Sequence, residues 1–396
     1  MTDDRAPDGA QISRPASGLA DAAPWLRLIA TPGLGAAAAR RLLAAFGLPQ
    51  AVLAQPAARL RGMLPDAVAQ ALAAPPDAAM AALIARTVAW LAEPGHHFVT
   101  LADRAYPTRL LDLSDAPLVL HVNGRLEALA GARPSIGIVG ARKATVQGAQ
   151  DAQAFAAALS AAGFSVVSGL ALGVDAAAHM GAIRGAMSGP GGTVAVIGTG
   201  IDIVYPARHH ALAHQIVDTG GAIVSEFPLG TPALSHHFPK RNRLIAALGH
   251  GVLVVEAAER SGSLITARLA SELGREVFAI PGSIHAPLSK GCHRLIRQGA
   301  KLVESLEDIL EEFPDLAAPG PGALLSDVAA PESAASDASE AAPDALGAAL
   351  AYDPVTFDTL CERSGLPPEA ASATLLRLEL SGAAERLPGN RYRRLG

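Results

Sequence analysis

Between His97 and Phe313 short β-branched runs alternate with helical stretches, and no other feature constrains the fold of this chain as much. The runs are Phe98–Leu101, Leu118–Val122, Ile136–Val139, Ser165–Val167, Thr193–Ile197, Ala222–Ser225, Val252–Val255 and Val277–Ile280. Several are continuously apolar, as strands buried on both faces must be. The intervals carry amphipathic helices, for example Val146–Ala162 and Ser263–Leu273. This alternation predicts an α/β fold with a doubly wound, mostly parallel sheet. Ligands on such sheets bind where strand C-termini meet helix N-termini.

The flanks differ. Residues 1–23 are rich in Ala, Asp, Gly and Pro without periodicity, which predicts a disordered arm. Residues 24–94 read as a small helical domain, with Trp25, Leu28 and Ile29, then Leu42, Leu43 and Phe46, at helical spacing. Between them Thr31-Pro32-Gly33-Leu34-Gly35 is either a phosphate-binding helix-hairpin-helix turn or a plain αα-hairpin. The α/β body spans 95–315. Residues 316–345 form an acidic, Ala/Pro-rich linker with no material for a core. Residues 346–396 read as a winged helix: helix Val355–Cys361, turn Gly365-Leu366-Pro367, helix Glu369–Leu380, then Ala384–Leu387 and Arg391–Arg394 around Pro388-Gly389-Asn390.

A net charge of −5 argues at first against a nucleic-acid partner, but the distribution reverses that. Residues 302–362 hold 14 of the 37 acidic residues and no Lys or Arg, leaving 32 basic against 23 acidic elsewhere. Binding follows the local field, and the body is a moderate polycation. Cys292 and Cys361 are far apart, which excludes a disulfide framework and a cysteine zinc site. No apolar run reaches the roughly 18 residues of a spanning helix, and MTDDRAPDGAQISRP lacks the apolar core of a secretory signal. The expected location is the cytoplasm, with no membrane partner.

Five segments after strand-like runs place small or cationic residues at a helix start. They are Gly140-Ala141-Arg142-Lys143-Ala144-Thr145, Ser168-Gly169-Leu170-Ala171-Leu172-Gly173-Val174-Asp175, Gly198-Thr199-Gly200, Phe238-Pro239-Lys240-Arg241-Asn242-Arg243 and Ser261-Gly262-Ser263. Glycine lets a ligand approach the backbone, and free N–H groups with the helix dipole favour an anion. The fourth is the most specific, because a helix Arg241–Leu248 would open on Lys240, Arg241 and Arg243. Cations there oppose the macrodipole by roughly 0.3–1 kcal/mol each. Either an external polyanion offsets this, or the arginines pair with carboxylates such as Glu226 or Glu256. Phe238 is either a base-stacking platform or a core residue. Asn242 binds a ligand or caps the helix. Asp175 and His179 share a helix face, and the structural reading of Asp175, as a dipole partner, is preferred to acid–base chemistry. The pairs His96/His97, His209/His210 and His236/His237 lack partners at ligand spacing, so no metal is expected.

These segments, with Gly198-Thr199-Gly200-Ile201-Asp202, Tyr205-Pro206, Ser225-Glu226, Glu256, Pro281-Gly282, Gly291-Cys292-His293-Arg294-Leu295-Ile296 and Gly299-Ala300, closely resemble the DNA-processing protein A family (DprA, also called Smf) over about residues 100–305. The resemblance implies an extended Rossmann-like fold without catalysis or cofactor. It implies a protein that binds single-stranded DNA, protects incoming DNA in natural transformation and helps load the RecA recombinase. It implies a DNA pocket at Arg142, Lys240, Arg241 and Asn242, with Phe238 where an aromatic residue often stands. It further implies a homodimer, with Ile284 and Leu288 at the contact. The DNA-binding set expected is therefore Gly140, Arg142, Lys143, Ser168, Gly169, Gly173, Phe238, Lys240, Arg241, Asn242, Arg243, Ser261, Gly262 and Ser263. The winged helix departs from a major-groove reader: Arg377 is the lone cation on its second helix, while Arg386, Arg391, Arg393 and Arg394 lie on the wing.

The alternative is a nucleotide-processing enzyme similar to the Rossmann-like phosphoribohydrolases. Pro190-Gly191-Gly192-Thr193 mimics part of their motif, but Val194–Ile197 follows directly and the catalytic glutamate is missing. An NAD-dependent dehydrogenase would need G-x-G-x-x-G, which Gly169 and Gly173 do not supply.

Overall fold

The structure, a computed structural model, describes residues 22–129, 133–189, 191–316, 346, 350 and 354–395. The expected arm, apart from its last two residues, and nearly all of the expected linker lie outside these, as does Pro190.

Six helices come first: α1 (Ala22–Ala30), α2 (Ala36–Phe46), α3 (Pro49–Leu53), α4 (Ala57–Leu60), α5 (Asp66–Ala73) and α6 (Ala78–Leu91). The turn between α1 and α2 needs Gly33, whose φ of 80° an L side chain rarely adopts. Trp25, Leu28, Leu42, Leu60 and Leu72 form the core of this layer, and it is shared with Phe98, Leu118 and Val119 of the following hairpin. The helices therefore sit directly on one end of the α/β body. No single described helix is long and apolar enough to cross a membrane.

The body is a nine-stranded sheet. Its strands are β1 (His96–Thr100), β2 (Val119–Gly124), β3 (Ser135–Val139), β4 (Ser165–Ser168), β5 (Gly192–Val196), β6 (Ala222–Ser225), β7 (Gly251–Val254), β8 (Glu276–Ala279) and β9 (Lys301–Leu302). Their spatial order is β1-β2-β6-β5-β4-β3-β7-β8-β9. β2 pairs antiparallel with both β1 and β6; β3 to β9 run parallel to one another. Helices α7 (Val146–Ala161), α8 (Val174–Ala186), α9 (His210–Asp218), α10 (His237–Leu248), α11 (Gly262–Glu272), α12 (Lys290–Arg297) and α13 (Leu306–Leu310) cover it. Ile136, Ile138, Val166 and Leu253 face one layer, and Val139, Val194, Val252 and Val254 the other. The central strands β3 to β7 are thus buried on both faces, as their unbroken apolar runs demand. α8 packs against the backbone of α7: a Cβ at Gly181 or Gly185 would overlap the carbonyls of Gln153 or Ala157.

The strand order fixes where a ligand fits. β4, β5 and β6 extend from β3 in one direction, β7 and β8 in the other. The order reverses at β3, and the crevice outside the C-terminal ends of β3 and β7 is the topological switch point.

At the C-terminus β10 (Val355–Thr356), α14 (Phe357–Ser364), α15 (Pro368–Leu380), β11 (Ala384–Leu387) and β12 (Arg391–Arg394) make a helix pair and a three-stranded sheet. The first helix begins at Phe357, two residues later than the expected Val355, because Val355 and Thr356 pair with β12 and Thr356 caps the helix. Leu360, Leu375 and Tyr392 fill its core.

Candidate functional site

The loops after β3 and β7 meet the starts of α10 and α11 at the switch point. A cleft of about 210 Å³ opens there, lined by Gly140, Arg142, Phe238, Arg241, Asn242 and the turn Ser261–Ser263, with Val139, Ala171, Asp175 and Thr266 completing the wall. Eight of the fourteen residues expected to bind DNA thus come together from three segments up to 123 positions apart.

Each side chain is held by a local cause. Arg142 is exposed, and its guanidinium lies over the Phe238 ring, 5.4 Å from the centroid. That contact is worth about 0.5–1 kcal/mol at an exposed position. Phe238 is half-buried and packs toward Gly198. Tyr205, half exposed, stands beside it with ring centroids 5.6 Å apart. Tyr205 was not among the expected site residues; its proximity to Phe238 joins two loops 33 positions apart, which no local pattern reveals.

Arg241 forms the floor and is buried, with Nη1 donating to the Val196 carbonyl at 2.9 Å. Its Nε–H has no partner among the described residues. Burial lowers its pKa to about 10, and the Asp175 carboxylate opposes that shift, so the group is cationic at neutral pH. A Cβ at Gly169 would overlap this guanidinium, so Gly169 makes room for the arginine. Burial raises the Asp175 carboxyl above its ordinary range, while Arg241 and the Ala171 amide pull it back. Asp175 is the only carboxylate among the described residues of the cleft wall.

The turn before α11 is the most open part. Ser261 caps the helix by accepting from the Ser263 amide at 3.3 Å, and the two hydroxyls are 2.6 Å apart. A Cβ at Gly262 would meet no protein atom. The fold therefore does not require glycine there; the space it leaves lies before a helix N-terminus, where partial positive charge favours an anion.

Several expectations need correction in their geometry. α10 begins at His237, not Arg241, because Pro239 lacks an N–H and is tolerated in a first turn. Lys240 and Arg241 are then fourth and fifth in the helix. Arg243 is buried in ion pairs with Glu226 and with Asp115, whose Oδ2 is 3.3 Å from Nε, and it does not line the cleft. Lys240 is half exposed, 3.9 Å from Glu226 and over the Phe227 ring at 5.1 Å. Ser168 is fully buried and donates to the Ile138 carbonyl at 2.7 Å. Gly173, with φ of 76°, backs onto the first loop, where a Cβ would overlap the Ala141 carbonyl. Lys143 is exposed beside the cleft but not in its wall.

The start of α7 is not free either. Glu256, one of the carboxylates considered as an arginine partner, instead accepts from the Thr145 amide at 2.9 Å and its hydroxyl at 2.5 Å. Glu385 of β11 accepts from the Val146 amide at 3.3 Å. His179 is structural: Nε2 accepts from the Leu170 amide at 3.3 Å and Nδ1 donates to Thr193 at 2.7 Å, since that hydroxyl itself donates to Val166. Burial lowers its pKa to about 3. No group of three potential metal ligands gathers among the described residues.

Comparison with known proteins gives consistent matches. The family described as DNA recombination-mediator protein A matches residues 97–314, and the DprA winged helix domain matches 330–390. Protein Smf of Escherichia coli (strain K12) is 41% identical over 78% of this chain and 80% of its own. DNA processing protein DprA of Streptococcus pneumoniae is 45% identical over 54% of this chain and 73% of its own. The X-ray structure of that organism's DNA processing protein A superimposes with a TM-score of 0.63 at 36% identity, covering 73% of this chain and 98% of the other.

Proposed function

This chain belongs to the DNA recombination-mediator protein A family, also called DprA or Smf, and from that premise we propose that its cleft holds single-stranded DNA without making or breaking a bond. A part in DNA processing and recombination follows from membership. The observation that carries the finer reading is the cleft itself: an exposed arginine over an aromatic ring, a buried cation in the floor and an open helix N-terminus, all at the switch point. Arg142 and the Gly262 amide reach phosphate oxygens, and the Phe238–Tyr205 pair offers ring surface to unpaired bases, which a duplex keeps stacked inside. Asn242 adds a donor and an acceptor. Lys143 and Lys240 lie outside the wall and supply field more than contact.

The reading includes delivery of the coated strand to the RecA recombinase and a homodimeric assembly. Ile284 supports the second: it is 66% exposed, an unusual position for a large apolar side chain. Competition between single- and double-stranded oligonucleotides at two ionic strengths tests the central part. We expect the unpaired strand to win at both, with weaker binding at the higher salt and intact DNA recovered. Preference for duplex, or release of a free base or nucleotide, would overturn it.

A further inference from the structure

A second cationic pocket lies at the opposite strand ends. Its wall is built from the starts of β3, β4 and β5, the end of α10, and the segment carrying Thr108 and Arg109. The cavity holds about 100 Å³, a few water volumes and enough for a small tetrahedral ion. Its polar lining is Thr108, Arg109, Arg133, Ser135, Ser165 and His250, and no Asp or Glu is among the described lining residues.

Nearly every polar group there is a donor. Ser135 spends its hydroxyl hydrogen on the Leu248 carbonyl at 2.8 Å, and its amide donates to His250 Nδ1 at 3.1 Å. The proton of the neutral imidazole is then on Nε2. Arg133 gives one hydrogen to the Gly191 carbonyl at 3.0 Å and makes no other hydrogen bond among the described residues. The Ser165 hydroxyl has no hydrogen-bond partner among the described residues, and the residue is only 4% exposed. Arg109 makes no ion pair among the described residues; the neighbouring carboxylate, Asp112, is paired to Arg275. Arg109 and Arg275 therefore stand near one carboxylate, Asp112, and Arg133 brings a further cation to the cavity. Buried polar groups are normally satisfied, so a donor-rich cavity with surplus positive charge calls for an acceptor. We propose that this cavity is an oxyanion site, taking inorganic phosphate or a phosphate monoester on Arg109, Arg133, Ser165 and His250. Burial and the adjacent Arg109 and Arg275 hold His250 at about 4, the field an anion would relieve.

The test uses the full chain titrated with inorganic phosphate against chloride at constant ionic strength. Two readouts are followed: the melting temperature, and the His250 imidazole by NMR. Phosphate stabilises any protein through exclusion from its surface, so the informative quantity is the part of the rise that Arg109→Gln loses. The site predicts a saturable rise of a few degrees and an upward move of the His250 titration. Arg109→Gln should remove both, and Ser165→Ala should shrink both without lowering the melting temperature in chloride. Arg142→Ala, in the other cleft, should keep both. Absence of both effects in the native chain, their survival in Arg109→Gln, or their loss in Arg142→Ala would overturn the proposal. A last arm identifies the source: a 5′-phosphorylated oligonucleotide that displaces phosphate where its 5′-hydroxyl twin does not makes it a nucleic-acid end, and displacement by neither makes it the free ion.

Discussion

Arg241 and Arg243 stand two positions apart on α10, and a spacing of two puts them on different sides of a helix. One faces the cleft floor; the other is locked by Glu226. Nothing local in Lys240-Arg241-Asn242-Arg243 separates the two roles, because the carboxylates that claim Arg243 come from 17 and 128 residues away. Replacing Arg243 by Ala strands the buried Glu226 carboxylate and should cost about 3–5 kcal/mol in denaturant unfolding, with DNA affinity per folded molecule retained. An unchanged midpoint would mean that the pair is not formed. Gly262 makes the complementary case. Gly262→Ala should leave stability level or raise it by roughly 0.5–1 kcal/mol, since helices favour Ala over Gly. Single-strand affinity should fall, as a methyl group enters the approach to the α11 amides. Full affinity in that variant would remove this turn from the site. Phe238 was recognisable from its cationic neighbours, whereas Tyr205 was not, because a ring earns its place by what folds beside it.

Elements were more legible than contacts. All eight expected strands of the body are present within two residues of their expected bounds, since burial on both faces demands unbroken apolar runs. The two-residue β9 has no such run and left no trace in the pattern. The free helix starts were harder to foresee. α7 follows a Gly-Ala-Arg-Lys loop suited to phosphate, yet Glu256 and Glu385 already satisfy its first amides. Glu385 also pairs with Arg393 at 2.8 Å, both side chains being largely buried, so the wing of the C-terminal domain places a carboxylate four residues from Arg142 and three from Lys143. Glu385→Gln should strengthen single-strand binding about two- to five-fold at low ionic strength, and the gain should vanish at high salt, where such fields are screened. A gain that persists in high salt would point away from charge.

At the scale of the whole molecule, buried histidines couple the fold to pH. Burial holds His179 at about 3 and His121 at about 4, against 6.5 for an exposed imidazole. The unfolded chain takes up protons as pH falls below about 6.5, and the folded chain does not until far lower. Stability is therefore complete above 6.5 and declines as pH drops toward 4. Asp175 and Glu226, raised by burial, act in the opposite sense and soften the slope. His121→Leu, within its shell of Trp90 and Phe98, should flatten the decline in melting temperature between pH 7 and 5; an unaltered slope would show that His121 is not held neutral. The central claim, a cationic crevice gripping an unpaired strand, is tested most directly by the salt dependence of single-strand affinity in the native chain and in Arg142→Ala. A linear fall of log affinity with log salt is expected, with a slope flatter by about 0.7 in the variant for the one phosphate contact removed. Identical slopes and affinities, or no binding of unpaired oligonucleotide in dilute buffer, would contradict it.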